Sequence, residues 1–142
     1  MTVIKTVPAA VAILVFNEKR LLLGKRIKNR VFEGWQCPGG YLLGGESIET
    51  AARHYCLQKA GIEISDINSG PVTNNIFSEP AAARHTVSLY QTAKLHKIKN
   101  IEKFENREVN WSWFELNCLP QACYLPLQLL LQQHDLRQFV HN

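Results

Sequence analysis

The residues best placed to do chemistry lie between Gly40 and Ile62, where a glycine-rich loop runs into a helix. Gly39, Gly40, Gly44 and Gly45 allow tight turns and let the backbone approach a ligand closely. Ser47 is placed to cap the helix, and Glu49 falls in its first turn, where a negative charge suits the dipole. Ile48, Ala51, Ala52 and Cys56 recur at helical spacing and predict a small buried stripe. Gly61 reads as the C-terminal cap, and Ile62 returns the chain to the core. Beyond that stripe the helix carries His54, Tyr55, Gln58 and Lys59. Among His54, His85, His96, His134 and His141 no metal-binding pair and no Ser-His-Asp order stands out. Cys37, just before Pro38, reads either as a reactive thiol or as a buried one.

The surrounding elements read as follows. Ala9–Phe16 is a continuous apolar run whose length and branched residues predict a buried strand. Asn17–Lys19 is a turn, and Arg20–Arg26 is the second strand of a hairpin. Lys28, Asn29 and Arg30 form a basic loop, and Gly34–Gly40 is a short strand into the glycine loop. After the helix, Glu63–Ile67 is a short edge element, and Gly70-Pro71 breaks the chain before a strand at Val72–Phe77. Ser78–Ala83 is a loop, Arg84–Lys94 a strand, and His96–Asn106 a charged, mobile loop. Val109–Phe114 is a strand in which Trp111 and Trp113 share one face, a pattern that favours core packing. Leu127, Leu130 and Leu131 recur at helical spacing and make Tyr124–His134 the second helix.

The chain has 142 residues, enough for a single domain that buries its own core without disulfide or metal. A net charge of +4 suits a phosphate-bearing ligand and is too mild to imply nucleic acid. The cysteines, Cys37, Cys56, Cys118 and Cys123, show no Cys-x-x-Cys spacing and read as reduced thiols. Met1–Val7 lacks the pattern of a signal peptide, and no apolar run is long enough to span a membrane. The expectation is a cytoplasmic protein.

The frame Gly40, Glu46, Cys56, Gly61 and Ile62 resembles the Nudix box without a gap. The pieces Gly24-Lys25-Arg26 and Gly34-Trp35 through Pro38-Gly39-Gly40 resemble the family's run before the box. The later segments Val72–Phe77, His85–Tyr90 and Trp111–Phe114 are similar to the MutT-like nucleoside triphosphate diphosphatases. The resemblance implies an α/β Nudix fold, an α/β/α sandwich with a mixed central sheet in the order β-β-β-α-β-β-β-α, as one domain over 1–142.

The resemblance also implies where the chemistry has changed. His54 stands where the family has Arg, Tyr55 at its first catalytic Glu, and Gln58 and Lys59 at the last two. Those carboxylates would share one helix face and hold magnesium, a hard cation that wants oxygen ligands. Tyr55, Gln58 and Lys59 supply none, so no metal site is expected on this helix, and magnesium enters only if activity is retained. Glu46 normally pairs with the family's Arg, so a Glu46–His54 pair is expected. Lys59 reads either as an ammonium in place of the metal's charge or as a solvated lysine in the last helical turn. Lys25 and Arg26 lie where the family binds phosphates, with Lys28 and Arg30 extending that surface. Trp35 and His85 are further ligand-binding candidates, and Glu102, Glu105 and Glu108 are the acids available to rebuild a metal site. The leading expectation is a protein that binds a nucleotide or nucleoside diphosphate derivative with pyrophosphohydrolase activity lost or strongly reduced. The alternatives are a working hydrolase with relocated ligands, on a nucleoside triphosphate or nucleotide sugar, and a non-catalytic RNA-binding or regulatory module. A homodimer is expected by analogy with the family alone.

Overall fold

The computed structural model describes residues 3–78 and 84–140. Most of the loop expected over Ser78–Ala83 therefore lies outside the described residues. The apolar run forms strand β1 (Ala9–Asn17), the spine of the sheet. Val11, Ile13 and Val15 are buried on one face, and Leu14 and Phe16 on the other. Such two-sided burial is what a continuous apolar strand requires. The other strands are β2 (Arg20–Lys28), β3 (Val31–Gln36), β4 (Gly39–Tyr41), β5 (Ile62–Ile76), β6 (His85–Ile98) and β7 (Ser112–Glu115). The helices are α1 (Ile48–Ala60), the single turn α2 (Ile101–Phe104) and α3 (Leu125–Gln133), followed by a 3-10 turn at Leu136–Phe139.

The sheet runs β3-β2-β1-β6-β5, with β4 added to β1 and β7 to β2. It is mixed, because β1 runs parallel to β6 and antiparallel to its other partners. Helix α1 covers one face. Its buried side chains are Ala51, Ala52, Cys56 and Ala60, small enough to bring the helix close to Val11, Ile13, Val15 and Trp111. Helix α3 covers the other face through Leu127 and Leu130, which pack with Leu14, Phe16 and Tyr90. This is the α/β/α sandwich that the sequence predicts.

Three local expectations are corrected. Gly70 and Pro71 do not end a strand: β5 runs unbroken past them, with register shifts between Ser65 and Asn68 and between Ser69 and Val72. The strand is at the sheet edge, where bulges and a proline are tolerated. His96–Asn106 is not one loop, since β6 continues to Ile98 and α2 follows. The strand into the glycine loop is two strands, β3 on β2 and β4 on β1.

That last change makes the site. Strands β1 and β2 pair only at their hairpin end, at Phe16–Leu21 and Asn17–Arg20. Further on they part, β1 turning to β4 and β2 to β3. A cleft of about 650 Å³ lies there, lined by Ala10 and Ala12 of β1, Lys25–Lys28 of β2 and the segment Gln36–Tyr41.

Candidate functional site

Helix α1 reaches the cleft with its last two turns. Its ends are fixed as the sequence predicts: Ser47 Oγ accepts from Thr50 N at 3.0 Å, and Gly61 takes the left-handed conformation at φ 66°. A Cβ at Gly61 would fall 2.3 Å from the Asn100 carbonyl oxygen, so glycine is required by space as well as by backbone angle. Between those caps, Tyr55 and Lys59 lie one turn apart and both line the cleft.

Tyr55 lays its ring against Gly40, where an added Cβ would stand 2.5 Å from two ring carbons. Its hydroxyl donates to the Tyr41 carbonyl oxygen at 2.6 Å. Lys59 Nζ donates to the Gly39 carbonyl oxygen and sits 5.2 Å from the centre of the Tyr55 ring. Lys59 is exposed as a residue, yet burial of its ammonium, and secondarily the charge of Arg26, lowers its pKa below the ordinary lysine value. Desolvation and a like charge both disfavour the protonated form. Gln58 is exposed and does not line the cleft.

Lys25, Arg26, Lys28 and Arg84 also line the cleft, and among the described residues the single carboxylate in the lining is Glu108. Arg26 bonds Glu33 through Nε at 2.9 Å and holds its guanidinium 4.4 Å from the centre of the Tyr124 ring. Arg84 donates to the Tyr124 hydroxyl at 2.7 Å and stacks 4.4 Å from the Phe77 ring. The rings of Phe77 and Tyr124 are 5.6 Å apart. A second concavity of about 520 Å³, around the β1–β2 turn, mixes Glu18, Asp66 and Glu115 with Lys19, Arg20 and Lys94 and gathers no one sign of charge.

Other predicted residues fall elsewhere. Glu46 does not pair with His54 among the described residues. Its carboxylate instead accepts from Leu43 N at 3.3 Å, and exposed His54 packs edge-on to Tyr55 at 5.5 Å. The neighbouring Arg53 ties the helix to β5 by donating to Ile64 O at 3.0 Å. Trp35 is outside the cleft lining and packs on Phe114 at 4.9 Å with Lys25 above it. His85 bonds Asn74, whereas the alternating Thr86, Ser88 and Tyr90 line the cleft, so His85 faces the other way. Glu102 and Glu105 sit on α2 and at its end, away from the cleft. Trp111 and Trp113 do share the α1 face, and Trp111 Nε1 donates to Lys59 O at 3.1 Å. Arg84, Phe77 and Tyr124 were not among the candidates read from the sequence. Phe77 follows β5, Arg84 precedes β6 and Tyr124 is the N-cap of α3, with no local motif to join them.

The profile of the NUDIX domain matches residues 6–137. This chain belongs to the Nudix family. An oxidized purine nucleoside triphosphate hydrolase of Mus musculus is 25% identical over 127 residues, covering 85% of this chain and 78% of the mouse protein. Among solved structures, a MutT NUDIX hydrolase from Burkholderia pseudomallei is similar with a TM-score of 0.76 at 22% identity, over 91% of this chain and 98% of that one. A NUDIX hydrolase from Nitrosomonas europaea is similar with a TM-score of 0.69 at 16% identity, over 91% and 89%. These last two likenesses bear on the fold.

The donor set does not fit a Nudix magnesium site. Tyr55, Gln58 and Lys59 offer a phenol, an exposed amide and an ammonium, and the ammonium already holds the Gly39 carbonyl. Magnesium asks for several hard oxygen ligands in octahedral geometry. Among the described residues no three of His, Cys, Asp and Glu come together as a metal cluster. The same arrangement suits an anion, because four further cations line the cleft with Lys59, and among the described residues its lining holds one carboxylate.

Proposed function

We propose that this Nudix protein binds a nucleotide or a related diphosphate-bearing small molecule without a metal, and that its pyrophosphohydrolase activity is lost. The observation that carries this reading is Lys59, anchored on the Gly39 carbonyl beside Tyr55 in a cleft that Lys25, Arg26 and Lys28 also line. Its ammonium supplies positive charge where the resemblance puts the family's metal. It does not supply a Lewis acid or a metal-activated water, the two contributions a hydrolase draws from that ion. Lys25, Arg26 and Lys28 would take the remaining phosphate oxygens, with Arg26 capable of paired hydrogen bonds. Glu108 is the one carboxylate in the lining among the described residues, and holding magnesium there would take at least one more converging carboxylate.

The test is thermal stability against nucleotides and nucleotide sugars, each with magnesium and with chelator, alongside an assay for released phosphate and pyrophosphate. A ligand that binds the folded state raises the melting temperature. The proposal expects shifts that persist in chelator and no turnover. Magnesium-dependent turnover abolished by Glu108→Gln would overturn it in favour of a hydrolase with relocated ligands.

A further inference from the structure

The cations of the cleft come from separate elements, and one short segment is bonded to both. Lys59 lies in the last turn of α1, whereas Lys25 and Arg26 lie on β2. The two are close enough for the Arg26 charge to act on the Lys59 ammonium. Between α2 and β7 the chain turns over 106–111. Asn106 holds the turn, its Oδ1 accepting from Glu108 N at 2.9 Å and from Val109 N at 3.1 Å. Asn110 takes the left-handed conformation at φ 54°, and its N–H donates back to the Asn106 carbonyl oxygen at 2.8 Å. From this turn the Val109 carbonyl accepts from Lys25 N at 2.6 Å, and Trp111 Nε1 donates to the Lys59 carbonyl oxygen at 3.1 Å.

Trp111 also touches β2. A Cβ on Gly24 would lie 2.7 Å from two carbons of the Trp111 ring and from Val109 Cγ1, so Gly24 leaves the space that the indole fills. The ring is buried in one cluster with Leu22 of β2 and Ala60 of α1. The carbonyl it bonds is among the last four of α1, which the helix cannot satisfy by itself. We infer that Trp111 is a positioning residue for anion binding: wedged against Gly24 and bonded to the Lys59 carbonyl, it holds the Lys59 ammonium in register with Lys25 and Arg26. Cations fixed before the ligand arrives lose little freedom on binding. Trp113 gives the contrast. It packs on the same core, 6.4 Å from the Phe104 ring, and makes no hydrogen bond to Lys59 among the described residues. The inference rests on the reading that Lys59 binds a diphosphate without a metal.

The test is calorimetric titration of pyrophosphate, in chelator, into wild type and a set of variants whose folding is checked by circular dichroism. Trp111→Phe keeps an aromatic ring and loses the N–H. It should weaken binding about threefold to fivefold, the scale of one net hydrogen bond. Replacing the Trp111 indole by benzothiophene, which keeps the size of the ring system and lacks the N–H, should give the same loss without a cavity. Trp113→Phe should leave the affinity unchanged. In a Lys59→Met background, Trp111→Phe should add no further loss, because it acts through that ammonium. Unchanged affinity in both Trp111 variants would overturn the inference, and so would an equal loss in Trp113→Phe or on top of Lys59→Met. Failure of wild type to bind pyrophosphate in chelator would instead overturn the metal-free reading. The same variants titrated with magnesium would then decide the role of Trp111 by itself.

Discussion

Replacing Gly40 by alanine should expose how tightly the Tyr55 ring packs against the glycine loop. The new Cβ would lie 2.5 Å from two carbons of the Tyr55 ring and 3.0 Å from a third. The ring cannot swing away freely, because its hydroxyl is bonded to the Tyr41 carbonyl at 2.6 Å. Overpacking costs about 1–3 kcal/mol, and loss of that hydrogen bond about 1 kcal/mol, so Gly40→Ala should cost roughly 2–4 kcal/mol. Unfolding entropy of about 2.1 cal/mol/K per residue, over 142 residues, gives roughly 0.3 kcal/mol/K. The melting temperature should then fall by about 7–13 °C, read by circular dichroism. Tyr55→Ala removes the clashing atoms, so the double variant should be more stable than the sum of the single effects by at least about 1 kcal/mol. Additive single effects would show that Tyr55 does not occupy this space, and the account of the altered box would fail with it.

Further outcomes follow from the same geometry. Gly61→Ala adds a left-handed alanine and drives its Cβ to 2.3 Å from the Asn100 carbonyl, so chemical denaturation should show a loss of about 2–4 kcal/mol. Because the Lys59 pKa is lowered on folding, the folded protein releases this proton at lower pH than the unfolded chain does. Between the two pKa values the unfolded chain binds more protons, so Lys59's contribution to stability rises with pH across that window. Anion binding runs the opposite way: pyrophosphate affinity, followed by calorimetry, should fall as pH climbs into the window relative to Lys59→Arg, which keeps its charge. Matching profiles for the two proteins would count against Lys59 as a ligand. Burial pushes the Cys37 and Cys56 thiols up, Cys56 to about 12, while Cys118 is exposed. A thiol reagent at neutral pH should therefore label Cys118 first and reach Cys37 and Cys56 only in denaturant, as mass spectrometry would show.

The sandwich was legible in the sequence because its signals are local. The apolar run of β1, the Ser47 and Gly61 caps and the leucine spacing of α3 each specify an element within a few residues. The errors arose where a local signal was overruled by pairing. Gly70-Pro71 reads as a break, yet on an edge strand it is absorbed by bulges against β6. His96–Asn106 reads as a charged loop, yet its first residues pair with β5 as far as Ile62, and Lys97 and Lys99 approach Glu63 at 3.9 and 3.1 Å. Lys25 and Arg26 are picked out by the run before the box and Lys59 by the box itself, and all three line the cleft. Arg84 and Tyr124 lie 40 residues apart in sequence and meet only in the folded cleft. The failed Glu46–His54 pair has a simpler cause: the Glu46 carboxylate is taken up by the Leu43 amide, and the tie from α1 to β5 comes from Arg53.

The central claim is that Lys59 does the work of a metal's charge in holding a diphosphate. Its most direct measurement is calorimetric titration of pyrophosphate into wild type and Lys59→Met, both in excess chelator. Hydrogen bonds to charged groups are worth about 1.5–3 kcal/mol, so the variant should bind at least about tenfold more weakly than wild type. Equal affinities, or binding by wild type only once magnesium is restored, would contradict the account.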